Sequence, residues 1–124
     1  MLAARFIRLS VIYAILGMAI GIYMAASMDH SQMPTHAHLN LLGFVSMFLF
    51  GIFYKLYPQA TEGKLPVVHF WISNVGMIGL VIGVSIIYSG NMELGERLAS
   101  VFSIIVILSM ALFTKIVFSA TRQN

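Results

Sequence analysis

Apolar residues run along this chain in four long blocks separated by three short polar gaps. The blocks cover roughly residues 4–26, 37–57, 66–88 and 97–118. A helix needs about 20 mainly apolar residues to cross a bilayer, and each block supplies them. The gaps, at 29–34, 58–64 and 89–96, hold the punctuation. Pro34 and Pro66 stand just ahead of spans, where a first helical turn tolerates proline, and Pro58 follows the second span as a stop. Within the blocks the helical period is weak, because apolar residues occupy every face, as they do in lipid. The pattern predicts an all-α fold. It is a four-transmembrane-helix bundle forming a single integral membrane domain over residues 1–124.

Composition sharpens this picture. Hydrophobic residues make up 60% of the 124 residues and charged ones 9%, and the mean hydropathy is +0.94. Soluble domains carry about 25% charged residues. So few charges cannot clothe a water-facing surface, which excludes an ordinary soluble enzyme, a disordered tail and a nucleic-acid binder. Cysteine is absent, which removes disulfides, iron–sulfur clusters and thiolate zinc sites. Arg5 and Arg8 ahead of an apolar run, with Ala25-Ala26-Ser27 after it, sketch a signal peptide. The run is longer than the 7–15 residues of a typical signal core, which favours a retained span.

Charge placement predicts the orientation. With four spans, both termini and the second loop share one side, and that side holds Arg5, Arg8, Lys55, Lys64, Lys115 and Arg122. The other side holds only Arg97. The positive-inside rule then makes both termini cytoplasmic. The face bearing Asp29, His30, His36, His38, Glu93 and Glu96 becomes extracytoplasmic. A bacterial inner membrane is the expected location, with the bilayer as the first partner.

Two kinds of residue invite a cofactor. Gly17 with Gly21, and Gly79 with Gly83 and nearby Gly76, have the spacing that lets helices approach closely. The same spacing also makes a groove for a flat cofactor. Three of the four histidines, His30, His36 and His38, fall within nine residues beside Asp29. His38 lies deepest, about one turn into the second span. An ionisable side chain inside a span is costly and usually faces a protein interior or a site. Neutral imidazole is a common metal and haem-iron ligand. Residues two apart on a helix point to nearly opposite faces, so His36 and His38 cannot hold one small ion from a regular helix. Either His36 precedes the helix or the two serve different partners. Asn40 must also find a partner in lipid. Leu41, Leu42, Val45 and Ser46 follow as a wall for a porphyrin or as ordinary packing.

The loop before the span is a second candidate. Met28, His30 and Met33 combine thioether and imidazole, with Met24, His36 and His38 flanking them, and this mixture suits Cu(I). The stretch Met28-Asp29-His30-Ser31-Gln32-Met33 resembles the short Met/His repeats of periplasmic copper-resistance proteins. His69 opens the third span at the other membrane face. It reads as an interfacial side chain near Glu62 or Lys64, with Trp71 in the aromatic belt, or alternatively as the ligand of a second cofactor near the inner face. Asn74, one turn deeper, is a buried polar group.

A family resemblance emerges from the second and third spans. The run His38-Leu39-Asn40-Leu41-Leu42, then Phe50-Gly51 and Tyr54-Lys55-Leu56-Tyr57-Pro58, resembles the second helix of haem–copper oxidase subunit I, most of all its nitric oxide reductase branch. Phe70-Trp71 with Asn74 and Gly76 is similar to the start of that subunit's third helix. The resemblance implies a low-spin haem b near the outer face, with His38 as an axial ligand and His36 and Asn40 beside it. The later oxidase helices, with the other low-spin haem ligand, the copper-B histidines and the proximal haem histidine, have no counterpart here. Reduction of oxygen or nitric oxide by this chain alone is therefore not expected. A second axial ligand would come from His36 or His30 of the partner subunit, or from His38 of the partner subunit across a two-fold axis. A homodimer or a homotrimer fits that need. The implied role is electron transfer, haem or gas sensing, or support of respiratory-chain components. Copper binding at the Met/His loop is the alternative.

Overall fold

A computed structural model describes residues 1–122 and contains the expected four long helices. The last two residues of the domain expected over 1–124 lie outside the described residues. The helices are α1 (Leu2–Ser27), α2 (Met33–Leu56), α3 (Leu65–Tyr88) and α4 (Met92–Thr121). All four are long and apolar enough to cross a membrane.

Two helix starts differ from the sequence reading. Helix α2 begins at Met33 rather than at residue 37. Pro34 sits in its first turn, where the missing N–H would have had no partner anyway. The His36 N–H donates to the Gln32 carbonyl at 2.9 Å and closes that turn. Helix α4 begins at Met92 rather than at 97. Asn91 caps it, its Oδ1 accepting from the Leu94 N–H at 3.2 Å. Glu93 and Arg97 then pair across one exposed turn at 2.6 Å. Both starts are polar, so an apolar count stops short of them.

The connections are tight. Met28 ends α1 in the left-handed region, at φ 56°. Asp29 Oδ1 accepts from the Ser31 N–H at 2.9 Å, and this bond holds the carboxyl below its usual pKa. A short 3₁₀ turn, Pro58–Thr61, joins α2 toward α3.

Helix α2 is not uniform. Leu39–Ser46 is π-helical, with i→i+5 hydrogen bonding. Ser46 Oγ reinforces the wide turn by donating to the Leu41 carbonyl, five residues back, at 2.8 Å. His38 and Asn40 stand at its entrance and Met47 at its exit.

The bundle is two antiparallel hairpins, α1–α2 and α3–α4. In each, glycines admit the neighbouring helix. A Cβ on Gly51 would meet Ile7 and the Ala3 carbonyl, and one on Gly83 would meet the Ala99 backbone at 2.6 Å. The spacing read as helix contact is borne out. At the glycines expected to make a groove for a flat cofactor, Asn40 and His36 fill the hollows at Gly17 and Gly21, while Gly79 lines an open apolar groove with Ile78, Ile82, Leu98 and Phe102. The hairpins are locked together toward the terminal face by a core of Phe6, Phe50, Tyr54, Phe70, Met77 and Ile116.

Candidate functional site

Two histidine sites lie at opposite ends of this bundle. The first is on the loop face, where α2 begins. His36 and His38 both belong to regular helix, so the lead-in alternative falls and they serve different partners. His36 turns into α1, its Nδ1 2.7 Å from the Gly17 carbonyl and its Cε1 3.0 Å from where a Gly21 Cβ would sit. Asn40, one turn on, donates from Nδ2 to the His36 carbonyl at 2.9 Å and packs on Gly17. Asn40 thus meets its polar needs locally.

His38 faces elsewhere. Its Nδ1 lies 2.7 Å from the Pro34 carbonyl, one turn back on the same helix. A carbonyl can only accept, so the neutral ring carries its proton on Nδ1. The lone pair is then left on Nε2. The same logic gives His36 the same tautomer. Both rings are half-buried. Beyond His38 along α2, Leu41 is 60% exposed and Val45 41% exposed, so apolar surface continues down that side of the helix.

The loop residues are not gathered. His30 is exposed, Met28 is 83% exposed, and Met24 is buried in the bundle. Met33 opens α2 half-exposed, its N–H donating to the His30 carbonyl at 3.1 Å. Among the described residues no three His, Asp or Glu side chains come close enough to share a metal ion. The loop is instead tied to α3. Thr35 Oγ1 donates to Gln32 Oε1 at 2.6 Å, and Gln32 Nε2 donates to Ser89 Oγ at 3.0 Å.

The second site corrects the sequence reading. His69 is not an interfacial side chain near Glu62 or Lys64; it is 0% exposed. Helix α3 starts at Leu65, so His69 lies one turn in, on the face toward the other three helices. Glu62 and Lys64 precede that turn and stay exposed. Phe113 stacks on the imidazole at 5.0 Å and 18°, and Phe50 meets it edge-on at 4.7 Å. Phe6 lies at 5.4 Å. Tyr54 Oη is 2.9 Å from Nδ1, and Nε2 has no partner among the described residues. The pairing that leaves least unsatisfied has Tyr54 donate to Nδ1. The Nε2–H then faces a cage whose aromatic rings are weak acceptors.

The sequence named Asn74 as a buried polar group, and it is 6% exposed. Its partner, Tyr13 Oη donating to Oδ1 at 2.8 Å, was not foreseen, nor was the Ser73–Ser109 hydroxyl pair at 2.5 Å. One signal was available for both: a polar residue in an apolar block must be answered by another. Compared with known proteins, the chain matches no family model, no curated sequence and no solved structure. None of these comparisons links it to haem–copper oxidase subunit I.

Proposed function

We propose that this chain is a membrane-embedded b-type haem-binding protein serving electron transfer or haem and gas sensing. The observation that carries the reading is His38. Its Nδ1 is held by the Pro34 carbonyl, which orients the ring and leaves Nε2 as the lone-pair nitrogen. A carbonyl bonded to one ring nitrogen in this way fixes the tautomer of ligating histidines. Leu41 and Val45 would provide an apolar wall on the outer side of α2. His36 is committed to Gly17, so its part is to anchor α2 to α1, with Asn40 closing the turn. In a homodimer, His38 of the partner subunit would be the other residue to hold the haem iron. Bound there, haem would supply one-electron chemistry or a gas-binding iron. The protein's own work is to present Nε2, exclude water and set the ring angle.

The cation bias supports cytoplasmic termini in a bacterial inner membrane, with the histidine loop extracytoplasmic and respiratory-chain components within reach. Alkaline phosphatase fused into the 29–32 loop would be active in that orientation. The main test is an optical spectrum of detergent-purified protein, oxidised and reduced, with and without CO. A sharp reduced alpha band unmoved by CO, and lost in His38→Ala, is expected for two histidine ligands. A CO-shifted Soret band would mean an open iron and a sensing role. No Soret band despite adequate haem supply would end the haem reading. Copper at the Met/His loop is the second reading: Met28, His30 and Met33 stand exposed and ungathered on one short loop, and the ion itself would have to draw them together. Equal copper content after changing all three would exclude it.

A further inference from the structure

Midway along the bundle, where the π-helical stretch of α2 ends, a cavity of about 30 Å³ opens between α2, α3 and α4. That is room for a single ion or water. Three of the residues lining it are methionines, one from each helix: Met47, Met77 and Met110. Three more are serines: Ser46, Ser73 and Ser109. No carboxylate or imidazole lines it.

The chemistry of this lining is selective. Met47 and Met77 are almost wholly buried, at 2% and 1% exposure, while Met110 is 44% exposed on the outer side. The hydroxyls are already engaged. Ser73 and Ser109 bond each other, and Ser46 bonds the Leu41 carbonyl. Three thioethers are left as the free donors. A thioether is neutral and soft, so it offers nothing to Mg²⁺ or Ca²⁺, but it suits Cu(I). A neutral ligand set around a monovalent ion leaves a single charge in the apolar layer. A divalent ion held there would leave two, at a much greater desolvation cost. The wide π-helical turn ends at Ser46, so Met47 enters the cavity where the helix changes pitch. Such local widenings recur at functional sites.

We propose that Met47, Met77 and Met110 form an intramembrane Cu(I) site. It is separate from both the His38 region and the outer Met/His loop. Methionine also fills gaps in cores without binding anything, and one experiment separates the two. The full-length protein in detergent is given Cu(I) alone, anaerobically, from a bicinchoninate complex that reports the free ion. One equivalent is expected to be retained, with an X-ray absorption shell of sulfur neighbours. Met77→Leu and Met47→Leu, which conserve apolar volume, are each expected to weaken retention by at least about 10-fold, since each removes a ligand and losing a group that only supports one already costs that much. The combined variant Met28→Leu, His30→Ala, Met33→Leu is expected to retain Cu(I) as the wild type does. Three results would overturn the proposal. These are no retention by the wild type, retention unchanged when all three cavity methionines become leucine, or a shell dominated by nitrogen and lost with the loop variant. Should a leucine variant not fold, the shell of the loop variant decides: sulfur neighbours kept there place the ion in the cavity, and their loss overturns the proposal.

Discussion

His38 and His69 both stand about one turn inside a helix start, at opposite ends of the same bundle. His69 is held by a side chain, the Tyr54 hydroxyl, and sealed by rings from the other three helices. His38 is held by a main-chain carbonyl of its own helix and stays half-exposed. The two residues thus differ in what holds them. A side-chain partner drawn from another helix makes a histidine part of the packing. A tether within one helix leaves the ring free to meet something outside the chain.

The largest effects are expected at the sealed end. Phe6 stacks on Tyr54 at 5.6 Å and meets Phe50, Phe70 and His69 with its ring. Phe6→Ala is expected to cost about 3–5 kcal/mol of stability, the range for emptying a buried aromatic site. Unfolding of the detergent-solubilised protein by SDS titration measures it. A loss under about 1 kcal/mol would mean the two hairpins do not depend on the cage. Tyr54→Phe keeps the ring but leaves His69 Nδ1 buried without a partner, and is expected to cost about 1–2 kcal/mol in the same assay.

At the open end the expected effects are smaller in stability. Gly17→Ala would put a Cβ 2.5 Å from Asn40 Oδ1. Asn40 must then move and loosen the His36 turn, at a cost of about 1 kcal/mol, the lower end for inserting a methyl into packed space. Its sharper readout is the optical spectrum, because a shifted α2 start would broaden any band that depends on His38. His38→Ala itself is expected to change stability by under about 0.5 kcal/mol, as a half-exposed side chain should, while removing that band altogether. A large stability loss there would make His38 another packing residue and erase the contrast.

The smallest effect concerns the turn ahead of α2. The Asp29 carboxyl has its pKa lowered chiefly by the Ser31 N–H. A lowered folded-state pKa contributes stability above the unfolded value, and that contribution fades as pH falls through the folded one. The turn is therefore expected to loosen only on the acid side of the carboxylate range. Asp29→Asn should flatten this acid limb in hydrogen exchange at the Ser31 amide.

Much of the fold was legible because apolar length is a strong signal: four blocks of the right length became four helices. The helix starts of α2 and α4 were not, since Met33–Thr35 and Met92–Glu96 mix polar residues that a hydropathy reading assigns to loops. Capping by Asn91 and proline in the first turn decide those starts instead. The burial of His69 was hidden for a related reason. When all faces of a helix are apolar, periodicity cannot say which face turns inward, and only the helices around it settle that. The π-helical stretch left no mark in the sequence at all. At the candidate site, the geometric objection to one ion shared by His36 and His38 was readable from their spacing. What could not be read was that Gly17 and Gly21 would accept His36 and Asn40, because pairing between helices is set in three dimensions.

The two-hairpin build has a consequence for biosynthesis. Each hairpin brings its own antiparallel partner, so neither has to wait for the other to satisfy its close glycine contacts. Such a chain is expected to enter the membrane as two successive pairs, the aromatic cage closing once the second pair arrives. The short 58–64 connection joins the pairs, with Ala60 packed against the core. Two halves cut within it and produced from separate messages should find each other in the bilayer through Phe6, Tyr54, His69 and Phe113.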